Sequence, residues 1–354
     1  SSPAPDKTTL VFDLGGGTFD ITLMSIEADG GVRMLATDGD DRLGGKDWDD
    51  RLITHVAAEF EKAHGKNPLE DLTAYQDLAG KCEEAKIALS RKERVRIAAS
   101  HGGLFHAVEV TRGAFEEMTA DLVARLEAKV GIVLEDAGVA WREVGLVLLV
   151  GGATRMPMVR RMLERVARGV EVAEAASPDE AVALGAAIQA ELLAARRDGT
   201  EPAPIGGREG KDLAGIELGH VNAHSLGVVA RVRGEFANCV LIPRNTPIPC
   251  AKRGRFQTIH DNQTRIEVIV LEGEESDPES CATIGTCVIS GLPARPRGSP
   301  VTIEYSYDGR GRIHVRALDL ESGREATTTI ERPAGLTQAG VDAAEERLAG
   351  TLVS

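Results

Sequence analysis

The sequence is poor in aromatic residues, in cysteine pairs and in long apolar runs, and each shortage argues against a particular kind of core, site or segment. Aromatic residues make up only 3% of the chain, so its cores are expected to be aliphatic. The five cysteines form no CxxC pair, which disfavours a zinc site or a disulfide framework and favours reduced thiols in a cytosolic protein. No apolar run reaches about eighteen residues, the length needed for a spanning helix. The first residues, SSPAPDKTT, have neither the basic start nor the apolar stretch of a signal peptide.

Positive charge is also scarce. Lysine and arginine total 41 against 55 acidic residues, which gives a formal net charge of −14. Such a balance disfavours a nucleic-acid groove, so we expect a cytoplasmic protein with neither nucleic-acid nor membrane partners. The 42% of hydrophobic residues is enough for packed cores, and 354 residues allow two or three domains.

Two hydrophobic patterns divide the chain. Residues 8–192 alternate β-rich runs with amphipathic helical stretches, which predicts an α/β domain. Residues 193–218 are rich in proline, glycine and charge, as is typical of a linker. Residues 219–333 contain short alternating runs separated by turns, which predicts an antiparallel β-sandwich. Residues 334–354 begin one further helix.

Local signals predict where the helices of the α/β domain begin. Apolar residues recur at helical spacing in GKDWDDRLITHVAAEFEKAHG, and a second helix is expected over about 70–90. Thr111 suits the N-cap of a helix that continues to about residue 133. The last helix is expected to open with Ser177 as its cap and Pro178 at its first position.

Two glycine-rich turns follow runs that we predict to be buried strands: DLGGGTFD at 13–20 and VGGATRMP at 150–157. Without a Cβ, backbone N–H groups at such turns can approach a phosphate, although each turn alone equally suits a plain tight turn. Together on an α/β frame they favour a nucleotide site. Asp13 and Asp20 could hold magnesium-bound or attacking water, and Arg155, expected in the first turn of the next helix, could meet phosphate or base.

Longer motifs carry a resemblance to a known family. In this order, DLGGGTFD, LGGKDWDDRL, CEEAKIALS, LVGGATRMPMV and SPDEAVALGAAIQA resemble the second ATPase lobe of the DnaK-type (heat-shock protein 70) chaperones. SLGVV, LIPRNTPIP, FQTIHDNQTRIEVIVLEGE and GLPARPRGSP continue the match in the β-rich half. The resemblance implies a multidomain α/β plus β protein, with an actin-like ATPase lobe followed by an antiparallel β-sandwich peptide-binding domain. It also implies a truncated member without the first nucleotide-binding lobe and most of the lid, which leaves ATPase activity open.

The same resemblance implies roles in a site for ATP or ADP with Mg²⁺. Asp13 would position the metal through water, with Asp20 as the second catalytic acid. The implied nucleotide contacts are Gly15, Gly16, Thr18, Glu83, Lys86, Ser90, Gly151, Gly152, Arg155 and Asp179. Two positions depart from the family: Ile87 stands for an arginine that stacks on the base, and Ala153 for a serine. Without the resemblance, Glu83 and Lys86 would suit a solvated helix face.

In the β-sandwich half, the resemblance implies a pocket for extended apolar segments of unfolded proteins. The implied pocket residues are Val228, Ala230, Arg231, Phe256, Ile259, Ile266 and Val268. Alternation in RIEVIV puts Ile266, Val268 and Val270 on one face, a pattern that sandwich-core residues share. Arg231 stands where the family has methionine or alanine over the peptide, and a cation there should disfavour basic peptides.

Three functions are compatible with these motifs to different degrees. The first is an ATP-dependent chaperone for protein folding and the stress response, working with a J-domain co-chaperone and a nucleotide-exchange factor. The second is a nucleotide-independent holdase, favoured by Ile87, Ala153 and the lack of the first lobe. The third, another actin-like ATPase such as a sugar kinase, is disfavoured by the β-rich half.

Overall fold

The computed structural model describes residues 8–27, 31–175, 177–178, 180–204, 218–308 and 311–330. The chain forms two compact units, of which unit 1 ends at Gly219 and unit 2 begins at His220. Unit 1 combines helices with a mixed sheet, and unit 2 contains antiparallel sheets. The expected combination of α/β and antiparallel β structure is therefore confirmed at this level.

The main sheet of unit 1 has the strand order β3-β2-β1-β6-β7. Its strands are β1 (Thr8–Leu14), β2 (Phe19–Ile26), β3 (Val32–Asp40), β6 (Val144–Val150) and β7 (Glu171–Glu174). The first three form an antiparallel meander, whereas β6 runs parallel to both β1 and β7. Because β6 lies between two strands and has buried residues on both faces, the continuous apolar run VGLVLLV is explained.

Six helices and a small hairpin complete unit 1 in the described residues. The helices are α1 (Gly45–His64), α2 (Leu72–Leu89), α3 (Arg112–Met118), α4 (Ala120–Ala137), α5 (Pro157–Val166) and α6 (Ala181–Asp198). The hairpin consists of β4 (Arg94–His101) and β5 (Leu104–Thr111). The predicted apolar face of α1 is confirmed, since Trp48, Leu52, Val56 and Phe60 are all buried.

The expectation of purely aliphatic cores is wrong. The largest fully buried side chains include Trp48, Phe12, Phe19, Phe60 and Phe115 in unit 1. Phe12 and Phe19 contact each other across the β1–β2 hairpin, with ring centroids 4.7 Å apart and ring planes tilted by 52°. The few aromatic residues are therefore concentrated in the core, where their large area contributes most to stability.

Two helix boundaries differ from the expectation. Thr111 caps α3 as predicted, but the helix breaks at Thr119, whose buried hydroxyl donates to the Phe115 carbonyl at 2.8 Å. The last helix begins at Ala181, with Glu180 rather than Ser177 at its N-cap. The residues predicted to form its first turn lie before the helix instead. There the Pro178 carbonyl accepts a 3.1 Å hydrogen bond from the Gly151 N–H.

Unit 2 contains two four-stranded antiparallel sheets, with strand orders β10-β9-β13-β14 and β12-β15-β16-β17. The first is made of β9 (Leu226–Val232), β10 (Glu235–Ile242), β13 (Arg265–Glu272) and β14 (Ala282–Ser290). The second is made of β12 (Cys250–Gln257), β15 (Pro300–Tyr307), β16 (Ile313–Asp319) and β17 (Glu325–Ile330). The short strand β8 (Leu218–Val221), which contains the boundary between the units, pairs through His220 and Val221 with β11 (Pro247–Ile248).

One hydrophobic core of unit 2 contains residues of both sheets. It includes Val228 and Val268 from the first sheet and Ile303 and Tyr305 from the second. The buried Tyr305 hydroxyl donates to the Gly227 carbonyl at 2.9 Å, which joins β15 to β9. Inward and outward residues alternate strictly along β15, as expected for a strand with one face in a core.

The predicted linker starts too early, because residues 193–198 are the last residues of α6 and Gly199 caps that helix in a left-handed conformation. Most of the remaining linker, and all of the lid segment 334–354, lie outside the described residues. Among the described residues, no helix is long and apolar enough to cross a membrane.

Candidate functional site

The β1–β2 hairpin holds the first glycine turn and its two acids. Asp13 and Asp20 are direct partners in the antiparallel register, so their carboxyl groups lie next to each other at the end of the sheet. The Gly15 N–H donates to the Thr18 carbonyl at 3.0 Å and closes the loop. The first glycine turn therefore joins two antiparallel strands, with both acids at its neck.

The start of α1 fixes the position of this loop. The N–H groups of Gly45 and Lys46 donate to the carbonyls of Gly15 and Gly16 at 2.9 and 2.8 Å. Gly44 lies so close that an added Cβ would be 2.5 Å from the Gly17 carbonyl carbon. The helix N-terminus is thus used to hold the loop carbonyls. Among the described residues, the exposed N–H groups of Gly16 and Gly17 have no protein acceptor and are free to bind a ligand.

The second glycine turn contacts the first hairpin from the neighbouring strand β6. Gly151 has φ +83°, and an added Cβ would be 2.3 Å from the Leu14 carbonyl oxygen and 2.8 Å from Asp13 Oδ1. Only glycine fits there, because both the conformation and the space exclude a side chain. A short 3₁₀ helix, Gly152–Arg155, follows and leads into α5. Arg155 therefore precedes α5 instead of lying in its first turn.

Lys86 on α2 completes the same cluster. Its Nζ lies 2.6 Å from Asp49 Oδ2 and 3.0 Å from the Gly45 carbonyl, and both side chains of this ion pair are nearly buried. An added Cβ on Gly45 would be 3.2 Å from Lys86 Nζ and 3.4 Å from the Ala153 Cβ. The three turns, residues 15–17, 44–45 and 151–152, with Asp13, Asp20, Asp49 and Lys86, are called the glycine cluster below.

The other predicted nucleotide contacts lie on or beyond α2. Glu83 and Ile87 are exposed, and Ser90 is the half-buried C-cap of the helix. Asp179 lies outside the described residues. Sequence reasoning did not single out Gly44, Gly45 or Asp49, although two adjacent glycines just before an amphipathic helix are a visible signal of a close approach.

The acids of the glycine cluster are held in an unfavourable electrostatic environment. Burial raises the pKa of Asp13, and the neighbouring Asp20 raises it further. Burial also raises the pKa of Asp20, against the effect of a hydrogen bond from Thr18. Burial raises the pKa of Asp49 as well, although Lys86 partly compensates. A cation bound nearby would stabilise the charged form of such adjacent carboxyl groups and so lower their pKa values.

This donor set fits magnesium bound mainly through water and phosphate. Mg²⁺ is usually held by one or two carboxylates together with waters and phosphate oxygens, and Asp13 and Asp20 supply such a pair. No cluster of three or more metal-ligating side chains occurs in the described parts of the chain. A dedicated protein cage for a metal is therefore not formed by these residues.

Unit 2 contains a cavity of about 790 Å³ between strands β9, β12 and β13 and the loop before β15. All seven predicted peptide-binding positions line it: Val228, Ala230, Arg231, Phe256, Ile259, Ile266 and Val268. Val228 and Val268 are also members of the hydrophobic core, so they form the buried floor. Phe256 and Ile266 are half-buried, and Arg231 is exposed at the rim.

Several lining residues were not predicted. Phe236 and Val232, on the two strands of the β9–β10 hairpin, line the cavity and are 61% and 45% exposed. Arg255 on β12 and Arg297 in the loop before β15 line it as well. Alternating patterns could not reveal these residues, because they come from different strands and a loop that meet only in the folded unit.

Comparison with known proteins identifies the family. A family model described as Hsp70 protein matches residues 3–349. The chain is 39% identical over 333 residues to the "Chaperone protein DnaK" of Thermotoga neapolitana. The matched residues make up 92% of this chain and 53% of that protein. Proteins of the same name from Thermotoga maritima and Thermosipho melanesiensis are 38% and 37% identical, with the same coverage.

The chain spans about half the length of the curated relatives it matches. The family match, by contrast, extends over both units. The chain therefore belongs to the Hsp70 family.

Proposed function

We propose that the chain is the peptide-binding half and the second nucleotide-binding lobe of an ATP-dependent molecular chaperone. In this proposal unit 1 is the actin-like lobe and unit 2 the β-sandwich domain that holds extended apolar segments of unfolded proteins. One observation carries it: seven residues chosen from the resemblance line a single cavity with an apolar floor. The relatives from the two Thermotoga species share the name "Chaperone protein DnaK".

The glycine cluster would bind one side of ATP or ADP. The free N–H groups of Gly16 and Gly17 and the Thr18 hydroxyl are suited to phosphate oxygens, together with Gly15, Gly151 and Gly152. Asp13 and Asp20 would hold the water shell of Mg²⁺, which would neutralise charge on the phosphates. Phosphoryl transfer needs charge stabilisation from all sides, so we assign hydrolysis to the whole protein, of which these residues form one wall.

The adenosine end of the nucleotide would lie toward α2. Lys86 is already held by Asp49 and the Gly45 carbonyl, which keeps its ammonium group beside the glycine cluster. Glu83 and Ser90 would contact the sugar, and Arg155 and Asp179 the base. Ile87 is 58% exposed and offers an apolar surface where the family has a planar cation.

Peptide binding would use the cavity of unit 2 in two ways. Its floor, Val228 and Val268, is 1% exposed and offers no hydrogen-bonding side chain, so a central apolar side chain of the ligand would be favoured there. Phe256, Ile259 and Ile266 would contact the flanking residues of an extended peptide. A J-domain co-chaperone, a nucleotide-exchange factor, a cytoplasmic location and a role in the stress response are part of the same proposal.

The test is calorimetry of the full chain with ATP·Mg²⁺ and, separately, with an apolar heptapeptide. Ile266→Asp puts a charge into the cavity and should weaken peptide binding about tenfold or more. The matched control is Leu320→Asp, since Leu320 belongs to the same unit, is 47% exposed and does not line the cavity.

Each result has a distinct meaning for the proposal. Peptide and nucleotide binding, with only Ile266→Asp defective for peptide, would support it. Peptide binding without nucleotide binding would favour the nucleotide-independent holdase. No peptide binding, or equal loss in both variants, would overturn the assignment of the cavity.

A further inference from the structure

The rim of the unit 2 cavity carries an excess of positive charge. Three arginines line it, Arg231 on β9, Arg255 on β12 and Arg297 in the loop before β15, against a single carboxylate, Glu267. They come from three separate segments and surround one opening. This is unexpected in a chain whose net charge is −14.

None of these three guanidinium groups has a carboxylate partner within 4.0 Å among the described residues. Arg231 Nε donates to the Gly234 carbonyl at 2.9 Å, which holds the side chain on the β9–β10 hairpin and leaves its charge uncompensated. Asp261, the acid near Arg297, instead accepts the backbone N–H of Arg297 at 2.8 Å. The rim arginines are therefore available to a ligand.

Among the described residues, five other arginines of unit 2 lie within 4.0 Å of a carboxylate: Arg253, Arg265, Arg295, Arg312 and Arg316. Arg295 binds Asp319 and Glu321, and Arg316 lies 2.5 Å from Glu325. The lone rim carboxylate is also engaged, because Glu267 lies 3.7 Å from Arg265, which does not line the cavity. These five paired arginines all lie outside the cavity lining, whereas the three arginines that line it have no carboxylate partner among the described residues.

We propose that the cavity selects extended segments whose apolar centre is flanked by aspartate or glutamate. This inference rests on the proposed peptide-binding function and names its substrate class. The apolar floor would take the central side chain, and carboxylates on either side of it would meet Arg231, Arg255 and Arg297 at the rim. Arginine is well suited to this role because its guanidinium pairs bidentately with carboxylates.

The expected preference is moderate and salt-dependent. Each exposed ion pair changes affinity by at most about fivefold, so two or three of them predict about a tenfold preference for acidic over basic flanks. Screening should reduce this preference strongly at about 0.5 M salt, whereas the apolar contribution should persist.

The test uses three fluorescent heptapeptides with the same Leu-rich centre and with Glu, Gln or Lys at the flanks. Binding to the full chain is measured by fluorescence anisotropy at low and high salt. The double variant Arg231→Gln, Arg255→Gln should lower the Glu-to-Lys affinity ratio to about twofold. Arg231→Lys, which keeps the charge, should retain more of that ratio than Arg231→Gln. Arg253→Gln is the matched control, because Arg253 is an exposed residue of the same strand β12 outside the cavity.

The outcomes separate this inference from the proposed function. Tighter binding of the Glu-flanked peptide, lost in the double variant and kept in the control, supports it. Binding of all three peptides with equal affinity, or tightest binding of the Lys-flanked one, overturns it and leaves peptide binding intact. If no peptide binds at any flank charge, the proposed function fails and the inference with it.

Discussion

The glycine cluster of unit 1 and the cavity of unit 2 are built from different parts of the chain. The turns of the cluster meet through backbone: an added Cβ on Gly44 or Gly151 would be 2.5 or 2.3 Å from a neighbouring main-chain atom. The cavity is made of side chains that different strands and loops contribute. At Gly44 and Gly151 there is no space for an added atom, whereas a cavity lined by side chains can change its chemistry while the strands remain.

The two regions also differ in whether their charged side chains are buried and paired. In the glycine cluster Lys86 is nearly buried and paired with Asp49, so the pair is part of the structure. At the cavity, Arg231 and Arg255 are exposed and have no acidic partner among the described residues, so we expect their replacement to change stability little. Substitutions in the two regions test this contrast.

The largest effect is expected for Gly151→Ala. The new Cβ would clash with the Leu14 carbonyl oxygen, and alanine is strained at φ +83°, so the free energy of unfolding should fall by about 3 kcal/mol or more. The control is Gly17→Ala, where an added Cβ would meet no atom within 4 Å and the loss should stay below about 1 kcal/mol.

Urea unfolding followed by tryptophan fluorescence measures this difference. Both tryptophans, Trp48 and Trp141, belong to unit 1, so the signal follows that unit alone. Equal stability of the two variants would contradict the close contact between the two glycine turns.

Lys86→Met should have the next largest effect. It leaves the nearly buried Asp49 carboxylate without its cation and should cost about 3 kcal/mol, measured by the same urea unfolding. Adding Asp49→Leu should recover a large part of this loss, because it removes the stranded charge. Lys81→Met, which breaks the exposed Lys81–Asp77 pair on the same helix, should cost less than about 0.5 kcal/mol. A loss of similar size for Lys81→Met would indicate that burial of the Lys86 pair is unimportant.

The smallest effects concern single carboxyl groups and their pH dependence. The pKa of Asp13 is raised by burial and by Asp20, so its charge destabilises the folded state at neutral pH. Asp13→Asn should therefore raise the free energy of unfolding at pH 7. This gain should shrink as the pH falls through the raised pKa toward the ordinary value of 3.8, because the wild-type carboxyl then becomes protonated in the folded state first.

Asp319 in unit 2 should behave in the opposite way. Burial raises the pKa of Asp319, but hydrogen bonds from Ser322 and Arg295 outweigh it and hold the pKa below the ordinary value of 3.8. Asp319→Asn should cost about 1.5 kcal/mol at pH 7. This loss should persist nearly unchanged down to pH 4, because the wild-type contribution disappears only below 3.8.

Urea unfolding between pH 7 and pH 4 tests both substitutions. Both units are followed together by far-UV circular dichroism, and tryptophan fluorescence, which comes from unit 1 alone, assigns the transition of that unit. The same pH trend for both variants would refute the contrast between the two carboxyl environments.

Much of the fold was predictable because periodicity reports directly which face of an element is buried. The helix around Trp48, the strand β6 with buried residues on both faces, and the alternation along β13 and β15 agree with their patterns. The boundaries that failed depend on long-range or local bonds that leave no periodic signal. Thr119, with φ −117° and ψ 12°, separates α3 from α4, and Pro178 is held by Gly151 before α6 begins.

The candidate sites were predictable to different extents. Gly15, Gly16 and Gly151 stand out in the sequence, because adjacent glycines directly after an apolar run indicate a turn where backbone atoms approach closely. The involvement of Gly44, Gly45 and Asp49 required the α1 and α2 helices to be in place. In the cavity, Phe236 and Arg255 were missed because the side chains that share an opening are far apart in the chain.

The amino-acid sequence alone determined the two kinds of structure, the glycine turns with Asp13 and Asp20, and the family resemblance. These features depend on residue type and spacing within short segments. Only the tertiary structure decided that Lys86 is paired, whereas Arg231, Arg255 and Arg297 have no acidic partner among the described residues. The physical reason is that the charge balance of a side chain depends on which carboxylates folding brings within about 4 Å, and segments distant in the sequence supply them.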